Sequence, residues 1–584
     1  MGDDMKLVFD IETDGLQATK IWCIVAKDLD TKEIFKFDPS SIKEGLKLLE
    51  KATLLVGHNI LGFDIPVLER LTDINFKNKK IIDTLVLSRL ANPERGGHSL
   101  RQWGFTLDFL KGDMQETGFT EYSLDMLKYC VNDVELNALV FEELIKELSD
   151  FDQKSINLEH EVSLVLKDQE KHGFLFDVPK ATVLLAELNE RKTTIEDTVK
   201  TVFKPKLITI KTVVPRMKQN GELSKSGLTT EEYESILKKS KETMLFPFDR
   251  KKLEEFNLNS RKQIGEYLQD FGWKPKEFTP NGQPKVDERT LKTVKDIPEA
   301  NLIGTFLMLQ KRIAQVNSWF DNLKEDNRVH GYVVSNGAVT GRMSHFKPNM
   351  AQIPASYSPY GKDCRSCWIV PNNYKLVGID ASGLELRMLA HYMNDEEYTN
   401  EILTGDIHTA NQKLAGLESR NQAKTFIYAF LYGAGDGKLG EVVKGSRRDG
   451  KELRKRFLSN LPSLATLKGR AERAASKGYL KGLDGRKVKI RHEHASLNTL
   501  LQSAGAIVMK QGLVLLNNKI KNNNYPAYFV ANIHDEWQLE VAEDYVETIG
   551  SSGVSAIREV SSIFNLRCPL DGEYKVGENW SETH

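Results

Sequence analysis

Residues 377–393 read VGIDASGLELRMLAHYM and join an apolar, strand-like run to a helical segment with charged side chains. The run ends at Asp380, and Glu385 follows five positions later, ahead of Arg387 and His391. Taken alone, the pattern is most simply interpreted as a strand, a helix N-cap and a solvated helix face. A functional interpretation depends on what the rest of the chain brings to Asp380.

The composition is that of a globular protein with several domains. The chain has 584 residues, 40% hydrophobic and 28% charged, with a formal net charge of -1 at pH 7. That length suffices for several domains, and the global charge indicates no particular partner. Charge is unevenly distributed, however, because residues 444–491 contain sixteen Lys or Arg and four Asp or Glu, a net of +12. This basic tract is a candidate polyanion surface, expected along the template.

The cysteine and hydropathy patterns predict a reduced, soluble protein of the cytoplasm. The five cysteines are scattered, and the amino-terminal sequence MGDDMKLVFDIET lacks the basic and apolar regions of a signal peptide. No apolar run approaches the ~20 residues that span a bilayer, so no membrane association is expected. Cys364 and Cys367 in CRSC resemble half a zinc site, but the absence of a second Cys/His pair at suitable spacing disfavours a metal there.

Three regions differ in their secondary-structure pattern. Residues 1–150 alternate strand-like and helical segments and predict an α/β domain. From about 155 to 325 the pattern is helical, interrupted by a Lys-rich, turn-rich stretch from Lys204 to Lys252. From Gly331 onward strands and helices are mixed, and AYFVANIHDEWQLEVA, residues 527–542, has a hairpin-like pattern.

Four acidic side chains in residues 1–150 form a first candidate site. Asp10 and Glu12 lie two apart on a strand, so their side chains point to one face. Asp64 ends the segment NILGFD, and in YCVND the residues Tyr129 and Asp133 share a helix face. Converging carboxylates suit a pair of Mg²⁺ or Mn²⁺ ions, which catalyse phosphodiester hydrolysis. Singly, each acid has an ordinary alternative as a strand edge, a helix cap or an exposed helix residue.

A helix with recurring cations and rings forms part of a second candidate site. SRNQAKTFIYAFLYGAG, residues 419–435, contains no Pro or Gly before Gly433, where a helix C-cap is expected. Four side chains recur at every fourth position: Arg420, Lys424, Tyr428 and Tyr432. Cations without an acidic partner at i+3 or i+4 suit nucleotide phosphates, and the rings suit a sugar and a base. The alternative is an amphipathic helix with a basic solvated face and an aromatic core stripe.

Two distant aspartates would complete the second site. Asp535 lies at the tip of the hairpin NIHDEWQ, about 150 residues from Asp380. Paired across two strands, the aspartates would hold two Mg²⁺ ions, one lowering the pKa of a 3′-hydroxyl and the other bound to a triphosphate. The combination predicts nucleotidyl transfer.

Together these motifs resemble the family A DNA polymerases, the bacterial DNA polymerase I family, and particularly the replicative single-subunit polymerases of short-tailed lytic phages. The phage enzymes share stretches much like NGAVTGRMSHFKPNMAQIP, DASGLELR, GDIHT, AKTFIYAFLYGAG, GLDGRKV and NTLLQSAGA. The motifs D-x-E, N-x-x-x-F-D and Y-x-x-x-D, over residues 6–140, resemble those of the DEDDy 3′ to 5′ exonucleases.

The resemblance implies a multidomain α/β fold, with a ribonuclease-H-like exonuclease domain followed by a right-hand polymerase of palm, fingers and thumb. The implied domains are the exonuclease at 1–150, the thumb at 155–330 with an inserted basic segment near 203–253, the palm at 331–400 and 490–584, and the fingers at 401–489.

The resemblance also implies roles for individual residues. At the polymerase site the metal ligands would be Asp380 and Asp535, with Glu536 as a supporting carboxylate. The dNTP would be held by His408, Arg420, Lys424 and Tyr428, and Glu385 would pack against Tyr428 to exclude a ribose 2′-hydroxyl. A tyrosine at 428 implies ready acceptance of dideoxynucleotides. The implied DNA contacts are Arg342, Asn349, Tyr432, Gln502 and His534.

At the exonuclease site the metal ligands would be Asp10, Glu12, Asp64 and Asp133, with Tyr129 orienting the attacking water. Two Mg²⁺ ions are implied at each site, with Mn²⁺ as a possible substitute.

The implied activity is replicative DNA synthesis with proofreading, acting on primer-template DNA and dNTPs in a host cytoplasm. A thumb insertion binds host thioredoxin in the phage relatives, so such a processivity factor is an expectation for segment 203–253, as is a phage helicase–primase. No 5′ nuclease domain is expected ahead of Asp10.

One alternative is a single-subunit RNA polymerase-like enzyme, which Glu385 and the exonuclease motifs disfavour. Another is an inactive DNA-binding scaffold, which the complete set of carboxylates disfavours.

Overall fold

The fold was analysed in a computed structural model that describes residues 5–77, 79–109, 119–239 and 246–584. The chain divides into two compact units. One unit comprises Met1–Val178 together with Asp321–His584, and the other is Pro179–Phe320. The first and last parts of the sequence therefore pack into one body.

A five-stranded mixed sheet forms the centre of the amino-terminal region. Its strands are β1 (Lys6–Thr13), β2 (Ile21–Asp28), β3 (Ile34–Phe37), β4 (Leu54–Gly57) and β5 (Lys80–Asp83). The helices are α1 (Ile42–Lys51), α2 (Asp64–Leu71), α3 (Thr84–Ala91), α4 (Leu100–Thr106) and α5 (Leu124–Glu147). The strand order is β3-β2-β1-β4-β5, with β1 antiparallel to β2 and parallel to β4. Helix α5 packs on β1 and β2 through Cys130, Val134 and Ala138, so it faces the strand that carries Asp10 and Glu12.

The chain then passes through α6 (Gln153–His172) and β6 (Phe174–Phe176) into the second unit, which is mainly helical. Its elements are α7 (Val178–Val202), β7 (Lys206–Val213), α8 (Thr230–Lys239), β8 (Phe248–Glu254), α9 (Arg261–Asp270), α10 (Glu288–Leu291) and α11 (Pro298–Asp321). Strands β7 and β8 form an antiparallel ribbon whose base is held by Phe203 and Phe256, with ring centroids 5.0 Å apart. The predicted inserted segment, 203–253, is thus a ribbon with one helix, and its residues 240–245 lie outside the described part of the chain.

The remainder of the first unit contains ten strands and ten helices among the described residues. The strands are β9 (Arg328–Val329), β10 (Tyr332–Val334), β11 (Ser344–Phe346), β12 (Trp368–Ile369), β13 (Tyr374–Ala381), β14 (Tyr479–Lys481), β15 (Lys487–Lys489), β16 (Ala527–Ile533), β17 (Glu536–Ala542) and β18 (Gly572–Gly577). The helices are α12 (Gly361–Ser366), α13 (Leu384–Met393), α14 (Glu396–Leu403), α15 (Ile407–Ala415), α16 (Arg420–Leu431), α17 (Asp436–Val442), α18 (Arg447–Asn460), α19 (Pro462–Ala475), α20 (Ser496–Asn522) and α21 (Val546–Ile563).

A four-stranded antiparallel sheet organises this region, in the order β16-β17-β13-β18. Its buried face, including Val377, Ile379 and Leu539, belongs to the largest apolar core of the protein. That core continues into α13, α16 and α20. Because β13 leads directly into α13, the sheet and the helix that carries Glu385 are fixed to each other.

The sequence prediction that no apolar run approaches the length of a membrane span was wrong. Within the described residues, Glu493–Asn522 is long and apolar enough to cross a membrane by length and composition, although no run of that length was predicted. Of its most apolar stretch, 72% is buried inside the protein. The helix is mostly apolar because other elements of the core surround most of it.

A buried ionic network ties α6 to α20 and to the β14–β15 hairpin. Glu159 of α6 is fully buried, and Lys510 of α20 donates to its carboxylate at 2.5 Å. Arg486 lies 2.7 Å from the same carboxylate and 2.6 Å from Asp484. Burial alone would raise the pKa of Glu159, but the two cations outweigh it and lower that pKa from 4.5 to about 2. Lys510 has one anion shared with Arg486, so burial dominates and lowers its pKa.

Replacing Glu159 by Gln should destabilise this unit by about 3–5 kcal/mol at pH 7, because two buried cations then share only Asp484. The depressed pKa of Glu159 contributes stability that is complete above about 4.5 and is lost as pH falls toward about 2. The difference in thermal midpoint between wild type and variant should therefore narrow below pH 4.5. Glu161→Gln, on the same helix but exposed, should change stability by no more than about 0.5 kcal/mol. Equal midpoints for Glu159→Gln and Glu161→Gln would contradict the role given to the network.

Candidate active sites

The structure brings Asp380 and Asp535 to the same end of the central sheet. Asp380 lies near the end of β13, and its register partner on β17 is Glu536. Asp535 occupies the two-residue turn between β16 and β17, where His534 has a φ of 54°. The backbone N–H of Ala381 donates to the carbonyl oxygen of Asp535 at 3.0 Å. The two aspartates are about 150 residues apart in the sequence, and the structure places their backbone segments next to each other.

The electrostatics of this end of the sheet favour a bound cation. Partial desolvation, followed by repulsion from Asp535 and Glu536, raises the pKa of Asp380 from 3.8 to about 7. A divalent cation would relieve this repulsion, and all the donors are hard oxygens, which suit Mg²⁺. The residues present therefore fit a magnesium site.

Glu536 differs from the two aspartates because the protein satisfies both of its oxygens. Gln538 and Trp580 donate to Oε1 at 2.5 and 2.7 Å, and Nδ1 of His584 lies 2.5 Å from Oε2. Burial works to raise the pKa of Glu536, but these partners outweigh it and lower the pKa. Glu536 is held as a charged side chain beside Asp380.

The residues that hold Glu536 were not predicted from the sequence. Trp580 and His584 lie more than 40 positions further along the chain, and no motif marks them. For Gln538 a signal existed, because residues two apart on a strand share a face.

Five of the predicted residues line one cleft beside Asp535. The cleft encloses about 600 Å³ including its open mouth, and its walls include Arg342, Glu385, Gln502, His534 and Asp535. The amide of Gln502 donates to Asn498 at 2.9 Å, one turn earlier on α20. Asn349, also predicted to contact DNA, is exposed and is not among the described residues that line this cleft.

Helix α16 begins and ends where its sequence predicts. Ser419 and Gln422 form a capping box at its start, and Gly433 follows its C-cap Tyr432 with a φ of +74°. Near its start, Nε of Arg420 donates to Asp406 at 2.7 Å. Asp406 in turn caps α15, which carries His408. The acidic partner of Arg420 thus comes from another helix, where a search at i+3 and i+4 could not find it.

Glu385 is bonded to Tyr432 rather than to Tyr428 in this structure. The hydroxyl of Tyr432 donates to its Oε1 at 2.9 Å, and Arg342 approaches the same oxygen at 3.4 Å. Burial raises the pKa of Tyr428, and the charge of Glu385 adds to that rise, so Tyr428 is also close. The structure thus gives Glu385 a hydrogen bond from Tyr432, one turn along α16, and the packing of Glu385 against Tyr428 stays a prediction.

The amino-terminal region contains a second carboxylate centre around β1. Asp10 and Glu12 lie close together and within ligand distance of Cys130, which belongs to α5. Asp64 begins α2, is buried, and accepts the backbone N–H of Ile11 at 3.1 Å. Burial, with a contribution from Asp83, raises its pKa from 3.8 to about 7. Asp133 is buried on α5, one turn beyond Cys130.

Buried acids at this centre suit a cation for the same reason as at Asp380. All four predicted ligands lie on β1, on α2 beside it, or on α5, which packs against it. Tyr129, one turn before Asp133, is half-buried, and its ring lies edge-on to that of Phe119 with the ring centroids 6.2 Å apart. Oxygen donors, together with the raised pKa of the buried Asp64, fit Mg²⁺.

Two further side chains near this centre were missed in the sequence. Asp83 is buried, but it accepts the backbone N–H groups of Asn59, Leu61 and Leu85, so its role is to hold the loop before α2 and the start of α3. Cys130 lies in YCVND beside the predicted Tyr129. The only signal in the sequence is that a cysteine, which can bind metals, stands next to a predicted site residue.

Part of the basic tract 444–491 is neutralised within the protein. Lys487 pairs with Asp150 at 2.7 Å, and Arg491 pairs with Glu94 at 2.5 Å, which links the end of the tract to the amino-terminal region. Arg486 is buried in the ionic network. The surface left for a polyanion is therefore smaller than the net charge of the tract indicates, and lies mainly on α18 and α19.

Comparisons with known proteins agree with one another. A model of DNA polymerase family A matches residues 229–582. The DNA-directed DNA polymerase of Enterobacteria phage T3 is 34% identical over 99% of this chain and 100% of its own length, and that of Escherichia phage T7 has the same identity and coverage. DNA polymerase I of Helicobacter pylori is 26% identical over 92% of the chain and 56% of its own length. A solved structure, the POL domain of Pol1 from M. smegmatis in complex with DNA primer-template and dNTP, covers 100% of this chain and 97% of its own, with a TM-score of 0.78 and 17% identity.

Proposed function

Because the chain belongs to DNA polymerase family A and is a DNA-directed DNA polymerase, we propose that its two carboxylate centres divide the work between template-directed synthesis and proofreading. The observation that carries the proposal is the adjacency of Asp380 and Asp535 at the end of one sheet. Family A polymerases use divalent metal ions, generally Mg²⁺. The proposed role of the enzyme is replicative, in the cytoplasm of a host cell.

In the polymerase centre, Asp380 and Asp535 hold the metal ions, and Glu536 keeps its charge beside them. Two Mg²⁺ ions, with Mn²⁺ as a substitute, would supply activation of a primer 3′-hydroxyl and neutralisation of a triphosphate. The fixed partners of Glu536, the ring of His584 among them, keep this charge in place. Its charge and that of Asp535 make Asp380 a strong electrostatic attractor for a cation.

The nucleotide in this proposal lies along α16. Lys424 and Arg420 contact its phosphates together with His408, whose ring centroid lies 6.2 Å from that of Tyr428. Tyr428 and Glu385 exclude a ribose 2′-hydroxyl at the sugar, and Tyr432 stacks near the template base. The hydrogen bond from Tyr432 to Glu385 must break before Tyr432 can stack near the template base. In this proposal the bond breaks in the step before the nucleotide enters.

The DNA contacts of the proposal lie on the cleft. Arg342 and Gln502 donate to minor-groove acceptors that all correct base pairs share, so they check pair shape without reading sequence. His534 and Asn349 complete the proposed contacts to the DNA. The proposed palm, fingers and thumb follow the ranges implied by the sequence, 331–400 with 490–584, 401–489 and 155–330. Host thioredoxin at the 203–253 segment and a phage helicase–primase are further proposed partners.

The proofreading centre is built on β1, α2 and α5. Asp10, Glu12, Asp64 and Asp133 are the proposed ligands of two Mg²⁺ ions, and the hydroxyl of Tyr129 orients the water that attacks the terminal phosphodiester. A mismatched primer end pairs poorly, frays, and reaches this centre as a single strand. The 34% identity to phage DNA-directed DNA polymerases over their full length favours a DNA polymerase over an RNA polymerase-like enzyme.

Incubation with a matched and a mismatched primer-template in Mg²⁺ tests both activities at once. With dNTPs, the matched primer should be extended directly, whereas the mismatched primer should be shortened before extension. Without dNTPs, both should be degraded from the 3′ end, the mismatched one faster because its end is already single-stranded. Labelled products resolved by length provide the readout. Extension without any shortening would refute the proofreading half, and no extension would refute the polymerase half.

A further inference from the structure

Two aromatic rings are stacked on the outer face of the β10–β11 hairpin. Tyr332 and Phe346 are direct cross-strand partners, with ring centroids 5.3 Å apart and 18° between the ring planes. Successive residues of a strand point to opposite faces, so Val333 and His345 point inward and line a cavity beside β16, whereas the two rings point outward. The two side chains are 41% and 40% exposed, which leaves aromatic surface open to solvent.

This aromatic pair lies beside both proposed functional regions. Along the chain, β11 lies between Arg342 and Asn349, which are both proposed DNA contacts. Toward the amino-terminal region, Nζ of Lys167 on α6 lies 5.1 Å from the ring centroid of Tyr332. The same lysine reaches the loop that leads into α2, where a Cβ built on Gly62 would lie 3.2 Å from its Cε. One lysine side chain therefore separates the rings from a loop of the proposed exonuclease centre.

An aromatic cross-strand pair can also serve only to stabilise a short hairpin. The surroundings distinguish this pair, because the exposed Lys347 follows Phe346 directly and Lys167, paired with Glu170 at 3.1 Å, stands beside Tyr332. The charge of Glu170, followed by burial, raises the pKa of Tyr332, so its hydroxyl stays neutral. Rings with cations beside them are the components of sites for single-stranded nucleic acid, where bases stack on the rings and cations contact phosphates.

We propose that Tyr332 and Phe346 bind the unpaired 3′ segment of a primer strand as it passes from the polymerase cleft to the exonuclease centre. The inference rests on the proposed function, because it takes the exonuclease as the destination of that segment. Bases inside a duplex already stack on their neighbours, so only an unpaired base has a face free for a protein ring. The contact of Lys167 with the loop before α2 favours the primer strand as the occupant, since the template strand has no reaction at that centre.

Binding of three DNAs to the full-length protein in EDTA, where neither centre can react, tests the site. The DNAs are a matched primer-template, the same DNA with four unpaired nucleotides at the primer 3′ end, and the matched DNA with a longer template overhang. Phe346→Ala should weaken binding of the unpaired primer by about fivefold or more, the effect of losing one stacked base. Affinity for the two matched DNAs should change by less than about twofold. Equal weakening for all three DNAs would overturn the proposal, as would a loss confined to the longer template overhang.

Tyr545→Ala is the matched control for the loss of a ring. Tyr545 is 37% exposed and belongs to another aromatic pair, with its ring centroid 5.5 Å from that of Tyr525. Its replacement should leave all three affinities unchanged. Phe346→Leu separates stacking from folding, because leucine keeps an apolar side chain on the hairpin and removes only the aromatic ring. It should weaken binding of the unpaired primer as Phe346→Ala does, and wild-type affinity in this variant, folded by its thermal midpoint, would overturn the proposal.

A second readout separates this inference from the proposed exonuclease. In Mg²⁺, at a DNA concentration below the Kd, Phe346→Ala should slow removal of the unpaired primer nucleotides by about fivefold or more. Degradation of a free single strand at saturating concentration should not change, because its binding no longer limits the rate. No degradation by wild type would refute the exonuclease and leave the binding result standing. Weaker binding of the unpaired primer with an unchanged rate of removal would overturn the passage to the exonuclease centre.

Discussion

Asp535→Asn should reduce primer extension by about 10³-fold or more, equivalent to about 4 kcal/mol in the activation barrier. The substitution preserves size and removes one negative charge from the turn that faces Asp380. With that charge gone, the pair can no longer balance a cation, although the backbone bond from Ala381 to residue 535 persists. Single-turnover extension of a matched primer at saturating dNTP provides the measurement.

Glu573→Gln is the matched control for this loss. Glu573 is the register partner of Asp380 on β18 and is exposed. Its replacement by glutamine removes one negative charge, as Asp535→Asn does, at a similar position in the sheet. Extension by this variant should stay within about threefold of wild type, in line with the small effects of most surface substitutions. Equal losses in the two variants would mean that the sheet end responds to net charge alone, which contradicts a ligand role for Asp535.

Asp10→Ala should reduce 3′ to 5′ degradation by about 10³-fold while leaving extension intact. The carboxylate of Asp10 lies next to Glu12 on β1, and no other described acid on that strand can replace it. Because the proposed exonuclease and polymerase centres are built on separate sheets, extension should not change. Degradation of a labelled single strand and extension of a matched primer, measured on the same preparation, test both parts.

Asp14→Asn provides the control for Asp10→Ala. Asp14 lies just after β1, but its carboxylate is engaged by Thr19 and by the backbone of Lys20. Hydrogen bonding to Thr19 lowers the pKa of Asp14 to about 2. The amide oxygen of asparagine can still accept the two backbone N–H groups, and its amide nitrogen can donate to the Thr19 hydroxyl. Degradation should therefore remain close to that of wild type. If Asp10→Ala also abolished extension, the separation of the two centres would be wrong.

The sequence alone was sufficient wherever the determining signals are local. The end of helix α16 was predicted correctly because its terminating Gly433 directly follows the C-cap residue. The hairpin β16–β17 was found because a short apolar run, AYFVANI, precedes the turn at Asp535 and alternating apolar residues, EWQLEVA, follow it. The pairing of Asp380 with that hairpin was a hypothesis from chemistry, because two aspartates at strand ends can share metal ions, and the resemblance to family A polymerases supported it.

The features that escaped prediction are long-range contacts or burial. Glu536 is held by Trp580 and His584, and Glu159 by Lys510, more than 350 residues away. The partner of Arg420 lies on another helix, and the membrane-length stretch in α20 is apolar because the core encloses it. None of these contacts leaves a period or spacing in the sequence, because each depends on how separate elements pack.

The most direct test of the central claim is a count of Mn²⁺ ions bound in the presence of a chain-terminated primer-template and the next dNTP, measured by electron paramagnetic resonance. The proposal that Asp380 and Asp535 hold a pair of ions predicts that the double variant Asp380→Asn, Asp535→Asn binds two fewer ions than wild type, with the Glu573→Gln variant unchanged. An identical count in the double variant and wild type would contradict it.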